Sequence, residues 1–131
     1  KAPIQKPKVY PELPNAVFVK TLPLFSQWRL TCGSCSPDDS LSNFNSLVPE
    51  YANPYGHFCG HVSAGCVAVA MGQILYYWKK PGLIDWTLIR DTCSTRETAK
   101  LMFELGKSLK MIYNVDKRGS SGIPFSELNR V

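Results

Sequence analysis

The pattern of apolar and polar positions splits the chain into an unpatterned first half and a helical second half. Residues 1–15 place Pro3, Pro7, Pro11 and Pro14 at intervals of three or four. Proline fixes φ and removes a backbone donor, so this spacing predicts an extended linker or tail. Residues 16–22, Ala-Val-Phe-Val-Lys-Thr-Leu, are apolar and β-branched and read as a short strand or extended arm. From 29 to 60 the chain is rich in Ser, Asn, Asp, Pro and Gly and has little periodicity. A loop of that length inside a compact domain is functional or pinned by cross-links, and Cys32, Cys35 and Cys59 lie within it.

The strongest helix signal runs over 66–79, Cys-Val-Ala-Val-Ala-Met-Gly-Gln-Ile-Leu-Tyr-Tyr-Trp-Lys. It is apolar on nearly all sides, which predicts a core helix. Lys79, Lys80, Pro81 and Gly82 end it, with cations in the last turn followed by two helix breakers. A second helix starts at Ser94, with Glu97 three residues on as a capping box. Ala99, Met102, Phe103 and Leu105 give it a buried face, and Gly106 reads as its C-cap. Residues 108–113 read as a short strand and 118–122 (Arg-Gly-Ser-Ser-Gly) as a turn, and Pro124 opens a third helix.

Length and composition narrow the classes. The chain has 131 residues and 44% apolar content, enough for one domain with a core. Fifteen Lys and Arg against ten Asp and Glu give a net charge of +5. The basic residues are scattered and form no stripe interleaved with aromatics, so nucleic acid is not expected as a partner. No run reaches the roughly 18 to 20 apolar residues that cross a bilayer; the longest, 67–78, is broken by Gly72 and Gln73. The start, Lys1-Ala2-Pro3-Ile4, has neither an apolar signal core nor an initiator Met, and Asn129-Arg130-Val131 falls inside a starting helix. Both ends suggest a processed or trimmed piece of a longer protein. Five cysteines are an odd number, so at least one is unpaired within the chain. With Cys66 set aside for chemistry, Cys32, Cys35, Cys59 and Cys93 allow two disulfides in three connectivities, which points to an oxidising compartment.

Cys66 follows Gly65 at the start of the apolar helix. The first turn of a helix carries unpaired N–H groups and partial positive charge, which favour an anionic sulfur and so a nucleophile. Gly65 allows a sharp turn that exposes the sulfur at the helix tip. The plainer alternative is a buried core cysteine.

The run His61-Val62-Ser63-Ala64-Gly65-Cys66-Val67-Ala68-Val69-Ala70-Met71-Gly72-Gln73-Ile74, with Tyr77, Trp78 and Pro81 after it, resembles the nucleophile motif of the streptopain-like cysteine peptidases. Asp85-Trp86, Leu105-Gly106, Met111-Ile112-Tyr113 and Gly119-Ser120-Ser121-Gly122 are similar to later landmarks of that family, in order. Upstream, Val19-Lys20-Thr21-Leu22 resembles the start of a mature enzyme, and Ser26-Gln27 the segment with its oxyanion glutamine. The resemblance covers residues 16–131, with an inserted loop upstream of the motif. It implies an α+β, papain-like fold in which a helical lobe carries a buried central helix beginning at the nucleophile. It also implies a secreted endopeptidase made as a zymogen, acting on protein or peptide substrates without a cofactor. By this resemblance Cys66 attacks the peptide carbonyl, Gln27 and the Cys66 N–H stabilise the oxyanion, and Ser120, Ser121 and Gly122 shape the substrate cleft. A polar-turn glutamine and ordinary turn chemistry are the plainer accounts of these residues.

One departure is decisive. A thiol nucleophile needs a base, and the family's histidine follows the cysteine; here no histidine follows His61. His57 and His61 both precede Cys66 and read as a loop residue and a structural residue. The chain therefore reads as the cysteine-bearing half of an enzyme, its histidine supplied by a C-terminal segment or second chain. The alternative is a non-catalytic module that binds a peptide or a protease. Cys32-Gly33-Ser34-Cys35 also resembles the Cys-Gly-Ser-Cys element of papain, which makes Cys35 a competing nucleophile. No apolar helix follows it, however. The same pair, with Cys59 and His57 or His61, could bind zinc, but the spacing is irregular and disulfide bracing is the preferred reading.

Overall fold

A computed structural model describes residues 26–29, 32–52 and 58–124. The Pro-rich start, the arm at 16–22, His57 and the helix expected after Pro124 lie outside the described residues. Within them, two α-helices, α1 (Cys66–Trp78) and α2 (Arg96–Ser108), pack together, joined by a stretch with one 3-10 turn at Trp86–Leu88. Among the described residues extended pairing is confined to isolated bridges: Ser34 with Ser94, Glu50 with His61 and Ile112 with Gly122.

α1 forms where the sequence predicts it. Gly65 precedes it at φ 96°, outside the helical region, and Lys79 ends it at φ 47°, donating its N–H to the Leu75 carbonyl at 2.8 Å. The helix is apolar almost all round, yet only one side is buried. Ala68, Val69 and Gly72 face the core, whereas Cys66, Ala70, Ile74 and Trp78, spaced four apart, are exposed. Trp78 keeps 64% of its surface and Ile74 37%. The expected core helix is thus buried along one side and exposed along the other. Among the described residues, α2 and the Trp28 segment pack on a single side.

α2 is amphipathic, burying Thr98, Ala99, Leu101, Met102, Leu105 and Gly106 at helical spacing. Its cap lies one residue beyond the predicted Ser94. Thr95 accepts from the Thr98 N–H at 3.3 Å, and Thr98 Oγ1 accepts from the Thr95 N–H at 3.1 Å, a reciprocal capping box. Ser94 does not cap the helix because its backbone is committed elsewhere. Its N–H donates to the Gly33 carbonyl at 2.6 Å and its carbonyl accepts from Cys35 at 2.8 Å. Glu97 instead accepts from the Asp85 N–H at 2.9 Å, hooking the connection onto the helix. Gly106 lies inside α2 with the Tyr113 ring against it, and Leu109 is the C-cap. The strand expected at 108–113 reduces to a turn and the single Ile112–Gly122 bridge, because α2 runs on to Ser108.

The helices meet at Gly72, where a β-carbon would come within 2.6 Å of Met102 Cε. A side chain there would push the Met102 terminal methyl aside and press on the Trp28 ring, 3.1 Å away. Around the contact lie Trp28, Phe44, Val48, Val62, Val69, Ile89, Leu101 and Leu109. Trp28 stacks on Tyr76 with centroids 5.5 Å apart and donates its indole N–H to the Arg90 carbonyl at 2.9 Å.

The described residues of the loop, 32–52 and 58–61, are held by different means. Two disulfides clamp it, Cys32–Cys59 and Cys35–Cys93, with Cα separations of 5.8 and 5.0 Å. Its buried polar side chains bond local backbone. Ser42 Oγ donates to the Asp39 carbonyl at 2.8 Å, Asn43 Nδ2 to Ser40 at 3.0 Å and Ser46 Oγ to Leu41 at 2.7 Å. Phe44, 1% exposed, is the apolar anchor. The expectation of a long loop pinned by bridges holds.

Candidate active site

The segment leading into α1 is held from both sides. Val62 N–H donates to the Pro49 carbonyl at 3.0 Å, and Ser63 N–H to the Gly119 carbonyl at 2.7 Å. Ala64 N–H donates to Asn45 Oδ1 at 2.8 Å, and Gly65 N–H to Ser63 Oγ at 3.1 Å. Gly65 then turns at a positive φ that other residues rarely adopt, with Met111 packed beneath it. Cys66 is thereby presented as the first residue of the helix, exposed. Any side chain at 65 would collide with Met111, whose Cε would lie only 2.9 Å from the added β-carbon. Asn45 carries a structural duty at this tip that the sequence does not signal; it sits in a polar loop twenty-one residues upstream of Cys66.

The loop from Met111 to Gly122 lies beside the tip. Ile112 and Gly122 exchange backbone bonds of 2.8 and 3.0 Å, and Val115 N–H donates to the Ser120 carbonyl at 2.8 Å. Asp116 Oδ1 accepts from the N–H groups of Arg118 and Ser120, and these bonds, the Arg118 one foremost, hold its carboxyl below the usual range. The Ser121 carbonyl would lie 3.6 Å from a β-carbon on Gly65. Ser120, Ser121 and Gly122 are thus brought next to the helix start. The Ser121 hydroxyl is buried without a hydrogen-bond partner, as is Asn45 Nδ2.

Gln27 is placed along the flank of α1. Its N–H donates to the Asp91 carbonyl at 2.7 Å, and its side chain is exposed. The preceding Ser26 carbonyl accepts from Gln73 Nε2 at 3.1 Å. Gln73 follows Cys66 by seven residues, two turns of helix, so this contact lies about 10 Å along the axis from Cys66, at the edge of the side of α1 on which the Trp28 segment packs.

Of the described cysteines, Cys66 alone is free. Cys35 is bonded to Cys93, which removes it as a competing nucleophile, and Cys32 and Cys35 each bond outside their own pair. With all four committed, the zinc reading of this cluster fails. Among the described residues no three His, Cys, Asp or Glu side chains converge as a metal site. His61 contacts the loop: its Nδ1 donates to the Val48 carbonyl at 2.9 Å. The carbonyl can only accept, so Nδ1 carries the proton. The cavity His61 lines is bordered by Cys32, Cys59, Asp39 and Asn43 and does not include Cys66.

No helix among the described residues is long and apolar enough to cross a membrane. The two disulfides are consistent with an oxidising, extracytoplasmic compartment. No family model, curated protein or solved structure matches the chain.

Proposed function

We propose that this chain is the nucleophile-bearing part of a cysteine peptidase, with Cys66 attacking the carbonyl of a peptide bond. Its sequence resembles the streptopain-like enzymes in pattern, and the reading includes their secretion and zymogen synthesis. The observation that supports it is the free, exposed Cys66 as first residue of α1, where helical N–H groups and dipole assist an anionic sulfur. The backbone N–H of Cys66 and the Gln27 side chain would bind the oxyanion, and residues 120–122 would border the substrate. A histidine from a C-terminal segment or second chain would take the thiol proton. The exposed stripe Cys66, Ala70, Ile74 and Trp78 supplies an apolar surface for such a segment.

The test is labelling by a peptidyl epoxide, alone and in the presence of the downstream segment. A single adduct on Cys66 and peptide turnover with that segment are expected, with both lost in Cys66→Ala at unchanged melting temperature. Turnover retained by Cys66→Ala overturns the proposal. A second reading, a non-catalytic peptide- or protease-binding module, is favoured by one observation. The described histidine, His61, is bonded to Val48, and the cavity it lines does not include Cys66. Saturable peptide binding without turnover, with or without the downstream segment, would select it.

A further inference from the structure

We propose that the Cys32–Cys59 bridge is a thiol-exchange site, opened by an external dithiol that enters the cavity beside it. The cavity has a volume of about 400 Å³, and both half-cystines line it together with His61. The Cys35–Cys93 bridge does not line it. Cys59 is exposed and sits in the left-handed region at φ 52°, followed by Gly60 at φ 78°. A non-glycine residue is strained there, and opening the bridge relieves one of the restraints that hold it. The other bridge is better shielded. Cys35 and Cys93 are both half-buried, and Cys93 adjoins the fully buried Ser94, whose backbone bonds both Gly33 and Cys35.

His61 gives the site a proton carrier. With Nδ1–H committed to the Val48 carbonyl, Nε2 is the accepting nitrogen of the ring. Asp39, the carboxylate on the cavity wall, is paired with Arg96 through bonds of 2.7 and 3.1 Å, so its charge is offset where a thiolate would approach. In the exchange, one thiol of the reductant passes its proton to His61 Nε2, and the resulting thiolate attacks Cys59 Sγ. A mixed disulfide forms, the Cys32–Cys59 bond breaks, and the Cys32 thiolate takes the proton back from His61. The second thiol then displaces Cys59 and closes the reductant's own disulfide. Two electrons and two protons pass to the protein, and the dithiol is oxidised.

The experiment treats the full chain with limiting dithiothreitol, quenches with N-ethylmaleimide at intervals and maps the labelled peptides by mass. Cys32 and Cys59 are expected to label about ten-fold sooner than Cys35 and Cys93. Simultaneous opening of both bridges, or earlier opening of Cys35–Cys93, overturns the proposal without need of any variant. In His61→Gln the first opening should slow about ten-fold while the second keeps its rate. A wild-type rate in that variant overturns the proton role of His61.

Discussion

The loop over 32–61, in its described residues, and the α1–α2 pair are held in place by opposed means. The helix pair interdigitates apolar side chains, Met102 against Gly72 and Trp28 against Tyr76, with little polar content in the contact. The loop sends Phe44 and Val48 into the same core but also buries Ser42, Asn43, Asn45 and Ser46, and satisfies them mostly through backbone groups a few residues away. Such local bonds contribute about 1 kcal/mol each, too little to order a loop of this length against its entropy. The disulfides, closing intervals of 27 and 58 residues, supply what is missing. Loop-closure entropy gives about 3.5 and about 4 kcal/mol for rings of these sizes. A polar sequence can therefore support the Cys66 tip if covalent links hold it in place.

The sharpest way to break this contrast is to remove the longer ring. Replacing Cys35 and Cys93 together by Ser should cost about 4 kcal/mol in urea unfolding. Hydrogen exchange should show amides of the 32–52 segment opening while those of α1 and α2 stay protected. Equal loss of protection in the helices would make the two regions one cooperative unit. Met102→Ala attacks the other side. This side chain is fully buried at the crossing, so about 3 kcal/mol should be lost, with loop amides little changed.

Asn45→Ala tests the seam between the regions. It leaves the Ala64 N–H unpaired and should cost about 2 kcal/mol, together with slower labelling of Cys66 as the tip loosens. Combined with Met102→Ala, the losses should add to within about 0.5 kcal/mol if the regions are independent. Thr95→Ala removes the α2 cap and should cost about 1 kcal/mol, read from the same denaturation curves.

The smallest effect appears at high pH. Burial, aided by its 2.6 Å bond to Asp91, pushes the Tyr76 phenol up to about 12 from its usual 10. Its folded value is raised, so its contribution to stability is complete below pH 10 and is lost as the pH rises through about 12. A phenolate absorbance titration should therefore show late-titrating absorbance that falls in Tyr76→Phe, the remainder belonging to Tyr113, whose phenol burial also pushes up.

What can be read from the sequence follows the range of the forces involved. α1 is legible because its signals are local: an apolar run, Gly65 before it and Lys-Lys-Pro-Gly after it. The cap of α2 is displaced by one residue because Ser94 pairs with Gly33 and Cys35, far away in the chain, and no neighbouring residue announces that. The odd cysteine count leaves one thiol over and its place at a helix start points to Cys66, the one the structure leaves free among the described residues, but the choice among three pairings depends on the folded path of the loop. The half-exposed state of α1 is hidden as well, since an apolar composition indicates a helix to be covered and not what covers it. At the tip, Cys66 and Gly65 are legible from spacing. Asn45 and Met111, which hold the tip in place, are not, because their contacts are made across the fold.

The order of the bridged positions along the chain, 32, 35, 59 and 93, makes the two covalent rings interlaced. A single backbone cut anywhere from residue 35 to residue 92 leaves a bridge spanning the break, so the two pieces stay one molecule. A protease that nicks the polar loop would thus add one water to the mass and release no fragment until the protein is reduced.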